Sequence, residues 1–270
     1  MRTLLHPVLF AALATLPAAC GNLNFYSDEQ LEPLSAQAYQ EATSEHGVVT
    51  GTPAAAMVQR VAQKIAAASR ETEFKWEARL LKADDTPNAF CLPNGRIAIY
   101  TGILPITQNE DGLAVVMGHE VAHAILRHGG KRMTQGTIAN ASLAAVEMGL
   151  GLSEMSSEAK GGVMAAIGLG AQYGVLLPYS RDHESEADIE GLRYVIRAGY
   201  DPYEAPKLWE RMAKLSGNSG PEWLSTHPAS EARAAKLREM IPVLLAEEGK
   251  QAPPAPGTKT VDPGKLPPRQ

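Results

Sequence analysis

The stretch His119-Glu120-Val121-Ala122-His123 places two imidazoles and a carboxylate among Leu113, Val116, Met117, Val121, Ala124 and Ile125. The apolar positions are dense enough, at helical spacing, to predict a largely buried helix over 111–128 that stops at Gly129-Gly130. A separation of four residues is slightly more than one turn, so both imidazoles leave the same face. Buried histidines and a buried carboxylate are costly unless each finds a strong partner. Hydrogen bonds to the core would be one solution. A shared metal ion is the other, and H-E-x-x-H on a helix is the pattern that binds zinc with the glutamate as general base. Glu120 lies about 100° round the helix from His119, near enough to take a proton from a water beside the metal.

A catalytic zinc uses three protein ligands and keeps one position open. The extension that would supply a third histidine from the same segment is absent, because Leu126 and Gly129 stand at its positions. The candidate is Glu184-Ser185-Glu186-Ala187-Asp188, on a helix predicted over 181–198 with Ser180 as its cap and Gly199 as its stop. Glu184 and Asp188 share a face one turn apart, where two carboxylates ordinarily repel. The pair becomes favourable if Glu184 binds the cation and Asp188 accepts a proton from a ligating histidine, fixing its tautomer. The other reading is a charged solvent face partnered by Arg181 or Arg193. Glu186 points elsewhere and is expected in solvent.

The order of motifs resembles the zinc metallopeptidases that include HtpX, BepA, LoiP and the first type of CAAX prenyl protease. Asn88-Ala89-Phe90 with Pro93 and Gly95 is similar to the N-A-F-x-x-P-x-G strand pair of that family, and Arg96 to Gly102 continue it. Ser180-Arg181 followed by Glu184, Ala187 and Asp188 is similar to S-R-x-x-E-x-x-A-D. Thr226-His227-Pro228 with Arg233 is similar to a late T-H-P-x-x-x-x-R element. The resemblance covers about 35–240 and implies a mainly helical α+β, zincin-like domain with a small sheet beside the metal helix. It implies one zinc ion held by His119, His123 and Glu184, Glu120 as general base, and Asp188 behind the ligands. His227 has three readings: stabiliser of the oxyanion, occupant of the open zinc position, or a helix-start histidine beside Pro228. Arg233 either orients a carboxylate near the site or makes a surface ion pair. The strand of Ala89, Phe90, Cys91 and Leu92 offers an edge on which an extended peptide can pair through its backbone. His128 is expected to cap the end of its helix, and His183 and His46 to lie on the surface.

The rest of the chain is organised around that core. Further helices are expected over 35–46, 53–69, 202–215 and 230–245, and strands over 74–82, 89–92 and 96–100, with a turn at Pro93-Asn94-Gly95. Two Gly- and Ala-rich apolar stretches, 137–152 and 161–177, fall short of the ~20 residues that span a bilayer and are expected to pack as a hairpin, with a membrane-facing or gating hairpin as the other reading. Residues 1–20 carry Arg2, an apolar run from Val8 to Leu16, and Leu16-Pro17-Ala18-Ala19-Cys20, which resembles a bacterial lipoprotein processing box. Lipid on Cys20 would leave Cys91 without a partner. The expected division is a signal peptide over 1–20, a spacer over 21–34, a metallopeptidase domain over 35–250 and a disordered tail over 251–270, which has six prolines. A formal charge of −5 argues against a nucleic-acid partner. These readings predict a zinc endopeptidase of the bacterial periplasm, lipid-anchored to the outer membrane and acting on misfolded or unassembled envelope proteins. A non-cleaving chaperone or assembly adaptor using the same groove, and a zinc enzyme for non-peptide bonds, are the alternatives.

Overall fold

A computed structural model describes residues 23–138, 179–215, 223–228 and 230–251. The processing box with Cys20, nearly all of the two Gly- and Ala-rich stretches, and the Pro-rich tail from residue 252 lie outside the described residues.

The first helix, α1 (Asp28–His46), begins earlier than the predicted 35–46, inside the expected spacer. Its start is fixed locally: Ser27 and Gln30 form a reciprocal capping box, with Asp28 and Glu29 in the first turn. Pro33 lies inside the helix, which continues past it. Leu31, Ser35 and Tyr39 form its buried face at intervals of four residues. A two-residue strand β1 (Val48–Val49) follows, then α2 (Pro53–Ser69), which Thr52 caps and Pro53 opens.

The sheet has four strands in the order β1-β2-β4-β3, with β2 (Glu77–Leu81), β3 (Ala89–Leu92) and β4 (Arg96–Tyr100). β2 and β4 are parallel, and the outer pairs are antiparallel. The predicted strand over 74–82 is shorter than expected, because Phe74 and Trp76 turn out of the ladder and pack on Gly95. Gly95 has φ 87°, and a Cβ there would sit 2.9 Å from the Trp76 ring. Alternation along β4 divides the core. Ile97 and Ile99 face α2 and the central helix, while Ala98 and Tyr100 join Leu81 and Tyr39 beneath α1. Glu32 of α1 pairs with Arg96 at 2.7 and 2.9 Å and also meets Asn94, holding α1 to the β3–β4 connection. The Arg96 guanidinium, then Asn94, pull the Glu32 carboxyl down to about 2.

A short helix, α3 (Leu104–Thr107), leads into the central helix α4 (Glu110–Ile125), capped by Asn109 and buried from Gly112 through Ala124. α4 ends before the predicted residue 128. Leu126 and Arg127 interrupt it, Arg127 has φ 55°, and helical backbone resumes over 128–138. Gly129-Gly130 therefore lies inside this following stretch and is not the stop. α5 (Arg181–Arg197) has Ser180 as its cap, as its sequence predicts. It crosses α4 at Gly118 and Gly191, where a Cβ on either glycine would lie within 2.8 Å of the other's backbone. Only paired glycines permit so close an approach, and it brings His119 opposite Glu184 and Asp188. α6 (Glu204–Leu215), α7 (Trp223–Thr226) and α8 (Glu231–Glu247) complete the layer beside α4 and α5. The mainly helical α+β class with a small sheet beside the metal helix is the architecture observed. Among the described residues no helix is long and apolar enough to cross a membrane.

Candidate metal centre

His119 and His123 leave α4 one turn apart with their Nε2 atoms 3.1 Å from each other. Glu184 on α5 completes the triangle. Its Oε1 is 3.3 Å from His123 Nε2, and its Oε2 is 3.5 Å from His119 Nε2. His227, just after α7, brings Nδ1 to 3.2 Å from His119 Nε2 and 2.9 Å from Glu184 Oε1. All four residues are buried, and their ligand atoms lie within 4.8 Å of one another.

This donor set fits one zinc ion. Two nitrogens bound at 2.0–2.1 Å in a tetrahedral shell stand roughly 3.3 Å apart, close to the spacing seen here. Glu184 Oε2 is buried and faces the Arg233 guanidinium, while Oε1 is turned toward His123 and His227. The electrostatics agree. Burial pushes His119 down, but Asp188 and Glu184 outweigh it and raise the ring to about 9. Burial drives His123 well below its ordinary value. Glu184, despite burial, is held far below the carboxylate range by hydrogen bonds from His119, His123 and His227. The buried carboxylates thus favour positive charge at this point, while the His123 ring stays neutral and keeps a lone pair for a cation.

Behind the donors, Asp188 Oδ1 lies 3.2 Å from His119 Nδ1, short of full hydrogen-bond alignment. Arg233 grips both acids. It contacts Asp188 through Nε at 2.7 Å and Nη2 at 2.6 Å, reaches Glu184 Oε2 at 2.5 Å, and lies 3.5 Å over the Trp209 ring. Arg233 is thus a partner of the site carboxylates rather than of the surface. Glu120 accepts from Trp223 Nε1 at 2.6 Å and stands 3.4 Å from His227 Nε2. The edge strand β3 runs beside it. Burial first, then the Glu120 charge, raises the thiol of Cys91, which is a free cysteine.

Several neighbours escaped the sequence reading. Tyr179 stacks on His123 at 4.0 Å. Trp223 precedes His227 by one helical turn, a spacing that signals a shared face. His128 caps nothing at the surface. Its ring is fully buried between His123 and Glu186, and burial lowers it to about 4. His183, expected on the surface, is buried and stacks on His128 at 4.3 Å. Glu186 is not simply solvated, since Oε2 is 3.0 Å from His128 Nε2. His46 is half-buried, with its ring edge-on to Tyr100.

The family model for peptidase family M48 matches residues 53–241. The mitochondrial metalloendopeptidase OMA1 of Schizosaccharomyces pombe is 37% identical over 214 residues, 77% of this chain and 60% of the relative. OMA1 of Saccharomyces cerevisiae is 38% identical over 63% of this chain and 48% of its own length. The putative beta-barrel assembly-enhancing protease of Vibrio cholerae is 33% identical over 58% of this chain and 33% of its own length. The chain thus spans only part of each relative. These matches correct the expected setting. Both mitochondrial proteins match at higher identity and over more of the chain than the beta-barrel assembly-enhancing protease does, so the assignment to the bacterial periplasm and outer membrane, with envelope proteins as clients, is withdrawn.

Proposed function

The chain belongs to peptidase family M48, and on that premise we propose that it is a zinc-dependent endopeptidase acting on extended polypeptide segments. The observation that carries the reading is the meeting of His119, His123 and Glu184 around one point, with Glu120 beside it. A zinc ion held there would polarise the scissile carbonyl and acidify a water. Glu120 accepts that water's proton on a carboxylate oxygen and delivers it to the leaving amine nitrogen. Trp223 holds the carboxylate in place through its indole N–H. Asp188, fixed by Arg233, orients the His119 ring. β3 pairs with an extended substrate through its backbone, so recognition tolerates varied side chains.

His227 would take the fourth position of a bound zinc in this reading, because its Nδ1 lies among the ligand atoms. The resting enzyme is therefore held off until this residue withdraws. The catalytic unit spans 35–250 together with the first turns of α1, and the tail over 251–270 takes no part in catalysis. Within family M48 the late T-H-P-x-x-x-x-R element supports kinship with HtpX, BepA and LoiP. Lipid on Cys20, supported by the residues before it, attaches the chain to a membrane. An intact mass showing loss of residues 1–19 and an added lipid checks that step, and an unmodified Cys20 overturns it.

The enzymatic reading is tested with purified protein, zinc and unfolded casein. Glu120→Gln should retain zinc and lower cleavage about 10³-fold. His227→Ala should retain zinc and cleave faster than the wild type. Undiminished turnover by Glu120→Gln removes the role given to that residue, and casein binding with no fragments from either the wild type or His227→Ala identifies a holding protein instead.

A further inference from the structure

His123 lies within hydrogen-bond distance of two imidazoles, His119 and His128, and the second one serves no part of the mechanism above. His123 Nδ1 is 2.9 Å from His128 Nδ1, and His128 Nε2 is 3.0 Å from Glu186 Oε2. Proton counting decides the direction of this chain. A neutral imidazole carries one ring hydrogen. The Glu186 carboxylate can only accept, so His128 places its hydrogen on Nε2 and presents a bare Nδ1 to His123. His123 must then carry its hydrogen on Nδ1, which leaves the lone pair of Nε2 directed at Glu184 and His119. The opposite tautomer would put an N–H where the cation binds, with Glu184 Oε1 at 3.3 Å ready to accept it.

We propose that Glu186 and His128 are positioning residues that select the metal-binding tautomer of His123. The inference rests on the zinc-site reading above. It gives the His123 ring a supporting chain of its own, distinct from the Asp188 contact to His119. The chain bridges three places: α4, the first residue of the helical stretch after it, and the exposed side of α5. His183 holds the His128 ring flat by stacking at 4.3 Å and 16°, as Tyr179 does for His123 at 4.0 Å. Glu186 is exposed at its side chain, so its replacement disturbs no core packing.

The experiment measures zinc affinity by competition with a chromophoric chelator, for the wild type and for Glu184→Ala, Glu186→Ala and Glu186→Gln. Long-range ¹H–¹⁵N spectra of the zinc-free proteins read the His123 tautomer. Glu186→Ala should weaken zinc binding 10- to 100-fold, with the melting temperature of the zinc-free protein unchanged, and should move the His123 hydrogen off Nδ1. Glu186→Gln should recover most of the affinity, because its amide oxygen accepts the same N–H. A purely electrostatic surface effect would leave Gln as weak as Ala, and that result overturns the proposal. So does Glu186→Ala with wild-type affinity while Glu184→Ala loses the metal. Equal binding by wild type and Glu184→Ala would instead overturn the underlying zinc site.

Discussion

At the residue scale the site depends on one guanidinium. Glu184 and Asp188 are buried carboxylates a turn apart, and Arg233 is bonded to both. Removing one partner of a buried charge cluster leaves the rest uncompensated and costs about 3–5 kcal/mol. Arg233→Leu should therefore lower the melting temperature of the zinc-free protein by roughly 10 °C, and excess zinc, which restores positive charge beside Glu184, should recover part of it. A calorimetric scan with and without zinc checks both parts, and an unchanged zinc-free melt would show the two acids to be satisfied without Arg233. The clustered residues His119, His123 and Glu184, with Asp188 behind them, were readable because they repeat at four-residue spacing within one segment, as His119 with His123 and Glu184 with Asp188 do. Glu186 is exposed as expected, but its contact with His128 was not legible, for the opposite reason. Its partner His128 lies 58 positions away, and no periodicity along either helix reports a contact that only the fold creates. Tyr179 and Trp223 share that difficulty, although the interval from Trp223 to His227 was a usable sign.

At the element scale the crossing of α4 and α5 sets the distance between the histidines and Glu184. Gly118 and Gly191 meet backbone to backbone, and a Cβ built on Gly191 lies 2.7 Å from the Gly118 carbonyl carbon. No side-chain movement relieves a clash with backbone, so the helices must separate. Gly191→Ala should destabilise the protein by about 2–3 kcal/mol and also reduce zinc content, because the two helices carry different ligands. Denaturant melts with metal analysis read both, and a variant with normal stability and full zinc would mean that this contact does not space the site. Helix interiors and the order of strands were legible from apolar spacing, whereas the ends were not. α1 starts at its Ser27–Gln30 box despite Pro33. α4 stops at Ile125, four residues before the visible Gly pair, because Arg127 takes a left-handed backbone there, a conformation that a basic residue does not advertise.

For the whole molecule, the proposed ligands come from three stretches of chain, α4, α5 and the segment after α7, with 108 positions between His119 and His227. An unfolded chain cannot gather them, so zinc binds the native state and adds its binding free energy to folding. With free zinc at a thousand times the dissociation constant the gain is about 4 kcal/mol, which for a domain of this size corresponds to roughly 8–16 °C in melting temperature. A chelator should therefore lower the melting temperature of the wild type by that amount, and readdition of zinc should restore it. Glu184→Ala, melting lower at the outset, should respond little to either treatment. The sheet and α1 share no ligand with the centre, so hydrogen exchange in β2 and β4 should change less on chelation than exchange in α5. Uniform loss of protection across both would show that the centre is coupled to the entire fold and does more than clamp α4 to α5. A melting temperature indifferent to the chelator, in protein shown by metal analysis to lose its zinc, would mean that the three stretches are already gathered at no cost by packing alone.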